Sequence, residues 1–309
     1  MTLVSYPRIV SPKAPPIKTQ GIKTKLVPFI LSNISWDGEG RWLEPFLGSG
    51  AVLLNAAPAR ALAADTNETI IAFYSDVLTG SITPASARIF LEREGKLLSE
   101  RGDEHYYAVR ERFNETKSPL DFLFLNRSCF NGVVRFNSKG KFNVPFCRKP
   151  ERFAPALVTK ICNQIAWASR QMSGRKWTFA VQDWRDTLAL AGDVDFVYLD
   201  PPYVGRHTDY YNQWSGEDAD ELAAAVASLQ SGFAYSMWKE NRYRENTHLA
   251  ANFADFPMVT FEHFYHIGAT ESLRNAMEEA LVLSRKSVAP PPKEEAVREL
   301  RQLTLLEAD

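Results

Sequence analysis

The sequence predicts an α/β fold in which a doubly wound sheet is interrupted by a mainly helical insertion that contains a β-hairpin. Two observations support this prediction. Short apolar, strand-like runs alternate with helical stretches over residues 42–77, and strand-like runs resume after about residue 176. Residues 80–175 lack that alternation. Strands that alternate with helices are typical of a parallel sheet covered on both faces.

Residues 42–77 predict the first strands and helices. Residues 42–45 indicate the end of a buried strand, and a glycine-containing turn follows at 46–50. An apolar helix is expected to begin at Ala51. Residues 59–65 predict a second buried strand. The next residues, 67–77, predict a second helix, which completes the opening of a doubly wound sheet.

The insertion begins with a charged helical stretch at 84–112 and continues with an Asn-, Gly- and Arg-rich segment at 126–145 that indicates a loop and hairpin. About seven strands are expected in all, and the later ones fall at 177–182, 196–199, 233–237, 258–264 and 280–284. Three consecutive prolines at 290–292 end the predicted fold, and residues 290–309 are expected to form a C-terminal tail.

The charges are strongly segregated, although the net charge of the 309 residues is only −1. Residues 1–36 carry five basic residues and no acid. Residues 127–152 carry seven basic residues against Glu151, whereas 186–221 carry nine acids against Arg206. The two basic regions are suited to phosphates, so a nucleic-acid partner is not excluded by the near-neutral total.

Other classes are disfavoured. The chain has no apolar run near the ~20 residues that cross a bilayer and no signal-peptide core. Its cysteines, Cys129, Cys147 and Cys162, form no C-x-x-C pair, which argues against a disulfide framework or a zinc site. We therefore expect a soluble protein of a reducing compartment.

The strongest chemical signal is the sequence Asp200-Pro201-Pro202-Tyr203 after the predicted strand 196–199. Open α/β sheets bind ligands at this end of their strands. The amino group of an aromatic base is a poor nucleophile because its lone pair is delocalised into the ring. Hydrogen bonds to the Asp200 carboxylate and the Pro201 carbonyl would localise that lone pair and stabilise the positive charge that develops on methylation.

The remaining residues of this motif fit the same chemistry. Pro201 and Pro202 make the turn rigid, and Tyr203 offers a face on which a base removed from a duplex can stack. The alternative is a turn that merely ends a strand, with Tyr203 packed in the core. The motif alone does not decide between the two.

Weaker signals indicate a nucleoside cofactor. Gly48 and Gly50 let the backbone approach a ligand at a helix N-terminus. Asp65 ends the next predicted strand, where an acid can bind both ribose hydroxyls. Asp183 could accept a hydrogen bond from the cofactor's adenine, and Trp184 could flank its ring. Taken singly, the glycines also fit a plain turn and the acids ordinary solvated carboxylates.

Together these motifs resemble the Dam-type (class alpha) DNA adenine-N6 methyltransferases over about residues 17–284. Residues 17–23 are similar to that family's N-terminal cofactor segment and 44–50 to its glycine motif. Asp65 corresponds to its ribose acid and 200–203 to its catalytic tetrapeptide. With the hairpin region this makes five separated matches in the family's order, which is far more specific than any one of them.

The resemblance implies a Rossmann-like S-adenosylmethionine-dependent methyltransferase sheet. Its catalytic domain would be discontinuous, formed by residues 1–79 and 176–289. A mainly helical target-recognition domain containing the hairpin would be inserted at 80–175.

The resemblance also implies roles for the hairpin region, 126–146. Phe130 corresponds to an aromatic residue that enters the base stack, and Asn131 and Val133 to residues that contact bases near the flipped adenine. Arg135 corresponds to an arginine that reads a base edge. A bidentate contact between arginine and guanine is worth about 1–3 kcal/mol of discrimination. By composition alone, these arginines could equally form a solvated basic face.

The site residues that the resemblance implies fall into three sets, and no metal is expected. The catalytic set is Asp200, Pro201, Pro202 and Tyr203. The set expected to bind S-adenosylmethionine, or its product S-adenosylhomocysteine, is Thr19, Gln20, Gly21, Lys23, Pro45, Phe46, Gly48, Ser49, Gly50, Asp65, Asp183, Trp184 and Asp200. The set expected to bind DNA is Lys18, Asn126, Arg127, Phe130, Asn131, Val133, Arg135, Asn137 and Pro145.

Two departures from the family pattern concern ligand contacts. Thr19 stands where well-known members carry an aromatic residue that flanks the cofactor. Residues 235–238, Tyr-Ser-Met-Trp, replace the usual Ser-Asn pair that ends the corresponding strand.

The predicted function is site-specific methylation of adenine N6 in double-stranded DNA. The base is flipped out, and the methyl group is transferred directly, without a covalent enzyme intermediate. The alternatives are N4-cytosine methylation, a catalytically silent DNA-binding protein of the same fold, and protein glutamine methylation. Enzymes that methylate protein glutamine resemble this chain but carry Asn at the position of Asp200, and they need no basic hairpin.

The predicted setting is the cytoplasm of a bacterium, with a bacterial or phage-encoded gene and no membrane partner. A cognate restriction endonuclease is a predicted partner, and the oligomeric state is expected to be a monomer or a weak dimer. The recognised DNA sequence does not follow from these residues.

Overall fold

The computed structural model describes residues 11–203, 214–241, 244–264 and 276–289. The predicted tail, 290–309, lies outside the described residues. Across the described ranges, each helix is too short or too polar to cross a membrane.

A single mixed sheet forms the centre of the fold. Its strands are β1 (Trp42–Glu44), β2 (Arg60–Asp65), β3 (Lys176–Val181), β4 (Phe196–Leu199), β5 (Gly232–Asn241), β6 (Arg244–Glu245), β7 (Met258–Phe264) and β8 (Ala276–Leu283). The order across the sheet is β3-β2-β1-β4-β5-β8-β7, with the short β6 paired to β5. The first five strands in this order, β3, β2, β1, β4 and β5, are parallel to one another. Strand β8 is antiparallel to both of its neighbours, β5 and β7.

The strand order reverses between β1 and β4, which lie side by side in parallel. At such a point, the connections leave neighbouring strands in opposite directions and open a crevice beyond their carboxyl ends. The predicted glycine turn follows β1 and the predicted catalytic motif follows β4, so both lie at this crevice.

The helices cover the sheet and build the segment between β2 and β3. They are α1 (Val27–Asn33), α2 (Ala51–Ala56), α3 (Glu68–Thr79), α4 (Pro84–Arg101), α5 (Asp103–Thr116), α6 (Pro119–Ser128), α7 (Pro155–Met172), α8 (Trp184–Ala189), α9 (Gly216–Ala227) and α10 (Thr247–Phe253). Four of them, α4 to α7, belong to the predicted insertion.

Most predicted elements of the sheet are confirmed, and the bounds of β4 and β7 coincide with the predicted ones. The structure of the insertion refines the prediction at one place and corrects it at another. The helical stretch 84–112 is two helices, because the backbone of Gly102 (φ 55°) turns the chain between α4 and α5. Helix α6 continues to Ser128, into the predicted loop. Its last polar residues are buried and bonded within the protein, which compensates for their polarity.

The core lies on both faces of the sheet. One cluster packs Leu43, Val197 and Tyr235 under α8, α9 and α10. The other contains Trp42 and Tyr198 and continues without a break into helices α4 to α7. The predicted insertion is therefore packed onto one face of the sheet through shared apolar contacts, and its division from the catalytic domain stays a prediction.

Gly95 provides a test of the packing inside the insertion. A Cβ atom at this position of α4 would lie 2.5 Å from the Cβ of Phe153, whose ring stacks on Phe124. Alanine favours a helix by about 1 kcal/mol over glycine, but overpacking costs about 1–3 kcal/mol. We expect Gly95→Ala to lower the free energy of unfolding, by up to about 2 kcal/mol, in urea denaturation.

Gly216→Ala is the matched control for this test. Gly216 begins α9, and no atom lies within 4 Å of a Cβ built there. This substitution should leave the free energy of unfolding unchanged or raise it by up to about 1 kcal/mol. If Gly95→Ala were as stabilising as Gly216→Ala, the close packing of α4 against Phe153 would be refuted.

Candidate active site

The glycine turn joins the end of β1 to α2. Gly48 and Gly50 both have a positive φ, 49° and 69°, which glycine adopts without strain. The ring of Tyr74 would be 3.4 Å from a Cβ at Gly50, and its hydroxyl donates to the carbonyl of Ser49. The turn is thus held in place by a buried aromatic residue of α3.

Asp65 ends β2 and is tied to the same turn. Its carboxylate accepts hydrogen bonds from the backbone N–H groups of Gly48 (2.9 Å) and Asn67 (2.8 Å). Burial raises the pKa of Asp65, and these two N–H groups limit the rise. The structure therefore brings the predicted ribose acid and the predicted glycine turn into direct contact.

The ion pair between Asp200 and Lys23 is the central contact at the end of β4. The Lys23 ammonium lies 2.9 Å from Oδ1 of Asp200, and the lysine is only 4% exposed. A buried ammonium is costly unless it is paired. Burial is the largest single influence and opposes the charge of Lys23, but Asp200, Tyr203, Glu279 and Tyr198 together outweigh it and hold the pKa of Lys23 well above its usual range.

Tyr203 and Glu279 extend this contact. Lys23 donates to the Tyr203 hydroxyl (2.6 Å), which donates in turn to Oε2 of Glu279 (2.9 Å). Glu279 lies in β8 and is 1% exposed. One lysine is thus shared by two carboxylates, directly with Asp200 and through a tyrosine with Glu279.

Asp200 lies in an environment that disfavours its ionisation. Burial raises the pKa of Asp200 to about 6, Lys23 opposes this rise, and Glu279 adds to it. Glu44, at the end of β1, is buried and accepts from the indole N–H of Trp42 at 3.0 Å. Its pKa is raised well above the usual range, chiefly by burial and further by the nearby Asp200.

Asp183 and Trp184 are placed at the start of α8. Asp183 caps the helix by accepting from the backbone N–H of Arg185 and forms an ion pair with its side chain at 3.2 Å. Trp184 is buried in the core, and the Arg185 guanidinium lies over its ring, 4.3 Å from the centroid. This placement favours a packing role for Trp184 over the ring-flanking role expected from the sequence.

The end of α6 holds the N-terminal segment that leads to Lys23. Asn126 is fully buried, accepts from the backbone N–H of Lys18 (3.0 Å) and donates to its carbonyl (2.7 Å). The buried Arg127 donates to the carbonyl of Pro16 and to Gln164. Both were expected to contact DNA, but their side chains are occupied within the protein, which favours a positioning role.

Lys18 differs from these two because it is only partly buried. Burial and the neighbouring cations Arg127, Arg152 and Lys160 lower the pKa of Lys18 to about 8. Cations that raise one another's free energy in this way favour a bound anion such as a phosphate. Arg152 and Lys160 lie outside the predicted DNA-binding set.

The hairpin segment follows α6 directly and contains two isolated antiparallel bridges, Cys129–Phe146 and Phe136–Phe142, in place of continuous strands. Phe130 is 55% exposed, and its backbone N–H donates to the carbonyl of Pro145 at 2.9 Å. Asn131 is exposed and has a positive φ of 55°. Val133 is half-buried. Phe130 and Asn131 are therefore exposed, whereas Val133 packs partly against the core.

Arg135 and Asn137 shape the rest of the hairpin. The Arg135 guanidinium donates to the side chain of Asn143 at 2.8 Å, which orients it. Asn137 accepts from the backbone N–H groups of Lys139 and Lys141, so its side chain closes the tip. These contacts orient the guanidinium of Arg135, and they show that the side chain of Asn137 stabilises the turn.

Sequence reasoning missed several residues that build the site. They are Glu279, Glu44, Tyr74, Arg152 and Lys160. A glutamate in an otherwise apolar strand-like run, 279–283, was a usable signal for Glu279, since buried acids need partners. Tyr74 gave no such signal, because an aromatic residue in an apolar helix is ordinarily core.

The strand order, the turn after β1, the acid after β2 and the motif after β4 together define a Rossmann-like methyltransferase fold. A profile of the D12 class N6 adenine-specific DNA methyltransferases matches residues 20–272. The chain therefore belongs to this family, which confirms the predicted activity class: an enzyme that methylates N6 of adenine in DNA.

Individual relatives agree with this assignment. The chain is 33% identical over 199 residues to a DNA adenine methylase of Serratia marcescens, covering 60% of this chain and 68% of that protein. It has the same identity, over 199 residues, to a DNA adenine methylase of Escherichia coli (strain K12), with 60% and 66% covered. A DNA N-6-adenine-methyltransferase of Escherichia phage P1 is 32% identical over 186 residues, covering 58% of this chain and 23% of that protein.

The contact between Asn126 and Lys18 can be tested by stability. Asn126→Ala removes both hydrogen bonds to the Lys18 backbone, and buried groups left without a partner cost about 1–3 kcal/mol. We expect the free energy of unfolding to fall by that amount in urea denaturation. Ser138→Ala, at the exposed hairpin tip, serves as control and should change it by less than about 0.5 kcal/mol. Equal stabilities for both variants would remove Asn126 from the framework of the site.

Proposed function

We propose that this protein transfers the methyl group of S-adenosylmethionine to an adenine N6 that has been flipped out of double-stranded DNA, with Asp200 as the catalytic carboxylate. The observation that carries this proposal is the position of Asp200. It directly follows β4 at the crevice, is ion-paired to a buried lysine, and is followed by the rigid Pro201-Pro202 turn.

The residues at the ends of β1 and β2 fit a nucleoside sulfonium donor. Asp65 would bind the ribose hydroxyls, since its carboxylate is already oriented by two backbone N–H groups. Gly48 and Gly50 keep the turn free of side chains, and Thr19 lies beside Gly48, 3.7 Å from the position of a Cβ. When bound, S-adenosylmethionine supplies an electrophilic methyl group on a cationic sulfur.

Asp200 and Pro201 would activate the nucleophile. The adenine amino group donates one N–H to the Asp200 carboxylate and the other to the Pro201 carbonyl, which localises the nitrogen lone pair. The amino nitrogen becomes cationic as it is methylated, and the adjacent carboxylate stabilises that charge inside a site of low dielectric constant. Lys23 keeps Asp200 ionised despite its burial. Tyr203 borders the position of the purine.

DNA would be bound by the exposed side of the hairpin and by the cations around Lys18. Phe130 fills the space left by the extruded base, and Asn131, Val133 and Arg135 read neighbouring bases. Lys18 and its basic neighbours hold phosphates and set the register. Asn126 and Arg127 support this surface from inside the protein.

The biological setting remains a set of predictions. Relatives from bacteria and from a phage are consistent with action in a bacterial cytoplasm. The restriction endonuclease partner and the monomeric or weakly dimeric state rest on the sequence resemblance alone.

The first prediction concerns Asp200. We expect Asp200→Ala to lower the rate of methyl transfer to duplex DNA by about 100- to 1,000-fold, the loss typical when a group that stabilises transition-state charge is removed. Sites are first mapped with the unmodified enzyme by sequencing for N6-methyladenine. Asp186→Asn, an exposed carboxylate on α8, is the control and should retain full activity. Near-normal transfer by Asp200→Ala, or methylation found at cytosine, would overturn the proposal.

The second prediction concerns Phe130. Stacking of an aromatic side chain on a base is worth about 1–3 kcal/mol, so Phe130→Ala should weaken binding to a duplex carrying the methylation site by about 10- to 100-fold. A 2-aminopurine at the target position should also lose the fluorescence increase that accompanies extrusion. Ile89→Ala, an exposed apolar residue on α4, should change neither readout. Intact binding and intact fluorescence in Phe130→Ala would exclude the intercalating role.

A further inference from the structure

We propose that Glu279 is a positioning residue that keeps the catalytic site negatively charged by sharing Lys23 with Asp200 through the hydroxyl of Tyr203. The inference rests on the proposed function of Asp200. It assigns a role in this reaction to a residue of the last described strand, β8, far from the catalytic motif in sequence.

The direction of the hydrogen bonds defines the link. An ammonium group has N–H donors and no acceptor. The Tyr203 oxygen lies 2.6 Å from the Lys23 nitrogen and therefore accepts from it. The single O–H of Tyr203 is then directed to Oε2 of Glu279, 2.9 Å away. Lys23 thus polarises the tyrosine towards a second carboxylate.

The charge of this group explains why a second carboxylate matters. Asp200 and Lys23 alone form a neutral pair, in which the lysine offsets the charge that should stabilise the methylated nitrogen. Glu279 adds one negative charge, so the three groups together carry a net charge of −1. Both the amino group in the transition state and the sulfonium donor are cationic, and a net negative site favours them.

Burial makes this charge effective. Lys23 is 4% exposed and Glu279 is 1% exposed, so water screens little of the interaction between them. An unpaired carboxylate so deep in the protein would be costly. A glutamine would fill the same space without a charge. The link through Tyr203 gives the acid at this position access to the cation of Lys23.

Within the described ranges, the titratable groups that interact with Asp200 belong to neighbouring elements. They are Lys23 before α1, Glu44 in β1, Tyr198 in β4, Tyr203, Tyr235 in β5 and Glu279. Lys23 favours the ionised form of Asp200, whereas Glu279 disfavours it. Removing the charge of Glu279 therefore lowers the pKa of Asp200. A purely structural role for Glu279 would leave that pKa in place.

Glu279→Gln is the decisive variant. We expect kcat to fall by about 10- to 100-fold. The acid limb of the pH profile of kcat/KM for DNA should at the same time move to lower pH, because activity requires ionised Asp200. A fall in kcat without this shift would show a structural role and overturn the proposal, as would an unchanged kcat.

Glu278→Gln is the matched control. Glu278 is the preceding residue of β8, and its partly exposed carboxylate is paired with Lys239 at 2.8 Å. This variant should keep both kcat and the acid limb. If Asp200→Ala is inactive while Glu279→Gln behaves as the wild type, the role of Glu279 fails and the proposed function stands. If Asp200→Ala is fully active, the proposed function fails as well.

A second measurement covers the case in which Glu279→Gln does not fold. The wild-type protein is labelled with ¹³C at the glutamate carboxyl carbons, and Glu279→Asp, which retains the charge, identifies the Glu279 signal by its loss. We expect the chemical shift of an ionised carboxylate near pH 7.5. The shift of a protonated carboxyl at that pH would overturn the proposal.

Discussion

The buried ion pair between Lys23 and Asp200 is the interaction on which the site depends. It joins an N-terminal segment to the end of the central strand β4, across the point where the sheet order reverses. Breaking a buried pair by removing one partner typically costs 3–5 kcal/mol, because the remaining charge has no compensation. The position of Lys23 thus favours an ionised carboxylate at the crevice, and the contacts that fix Lys23 support the proposed role of Asp200.

The same N-terminal segment connects Asp200, the proposed catalytic carboxylate, to the hairpin that we propose reads DNA. Asn126 is hydrogen-bonded to the backbone of Lys18, five residues before Lys23, and α6 ends two residues after Asn126, just before the exposed Phe130. The glycine turn also lies beside this segment, because the Thr19 hydroxyl is 3.7 Å from the position of a Cβ at Gly48.

The sequence was most informative where a local pattern determines the structure. The bounds of β4 and the turn after β1 followed from short apolar runs and glycines, and the crevice followed from the rule that ligands bind at the ends of parallel strands. The last turn of helix α6 was predicted as loop, because Asn126 and Arg127 are residue types that are common in loops. Their polarity is satisfied by the backbone of Lys18 and Pro16, more than 100 residues earlier, and no local pattern reports such a partner. The role of Glu279 likewise depends on β8 lying beside β5, a pairing of strands distant in sequence.

The most direct test of this mechanism is a crystal structure of the protein with S-adenosylhomocysteine and a duplex that carries its methylation site. We expect the target adenine outside the helix, with N6 at about 3 Å, a hydrogen-bonding distance, from both the Asp200 carboxylate and the Pro201 carbonyl. Lys23 should remain paired with Asp200. An adenine still stacked in the duplex, or an extruded purine whose N6 contacts neither oxygen, would contradict the central role given to Asp200.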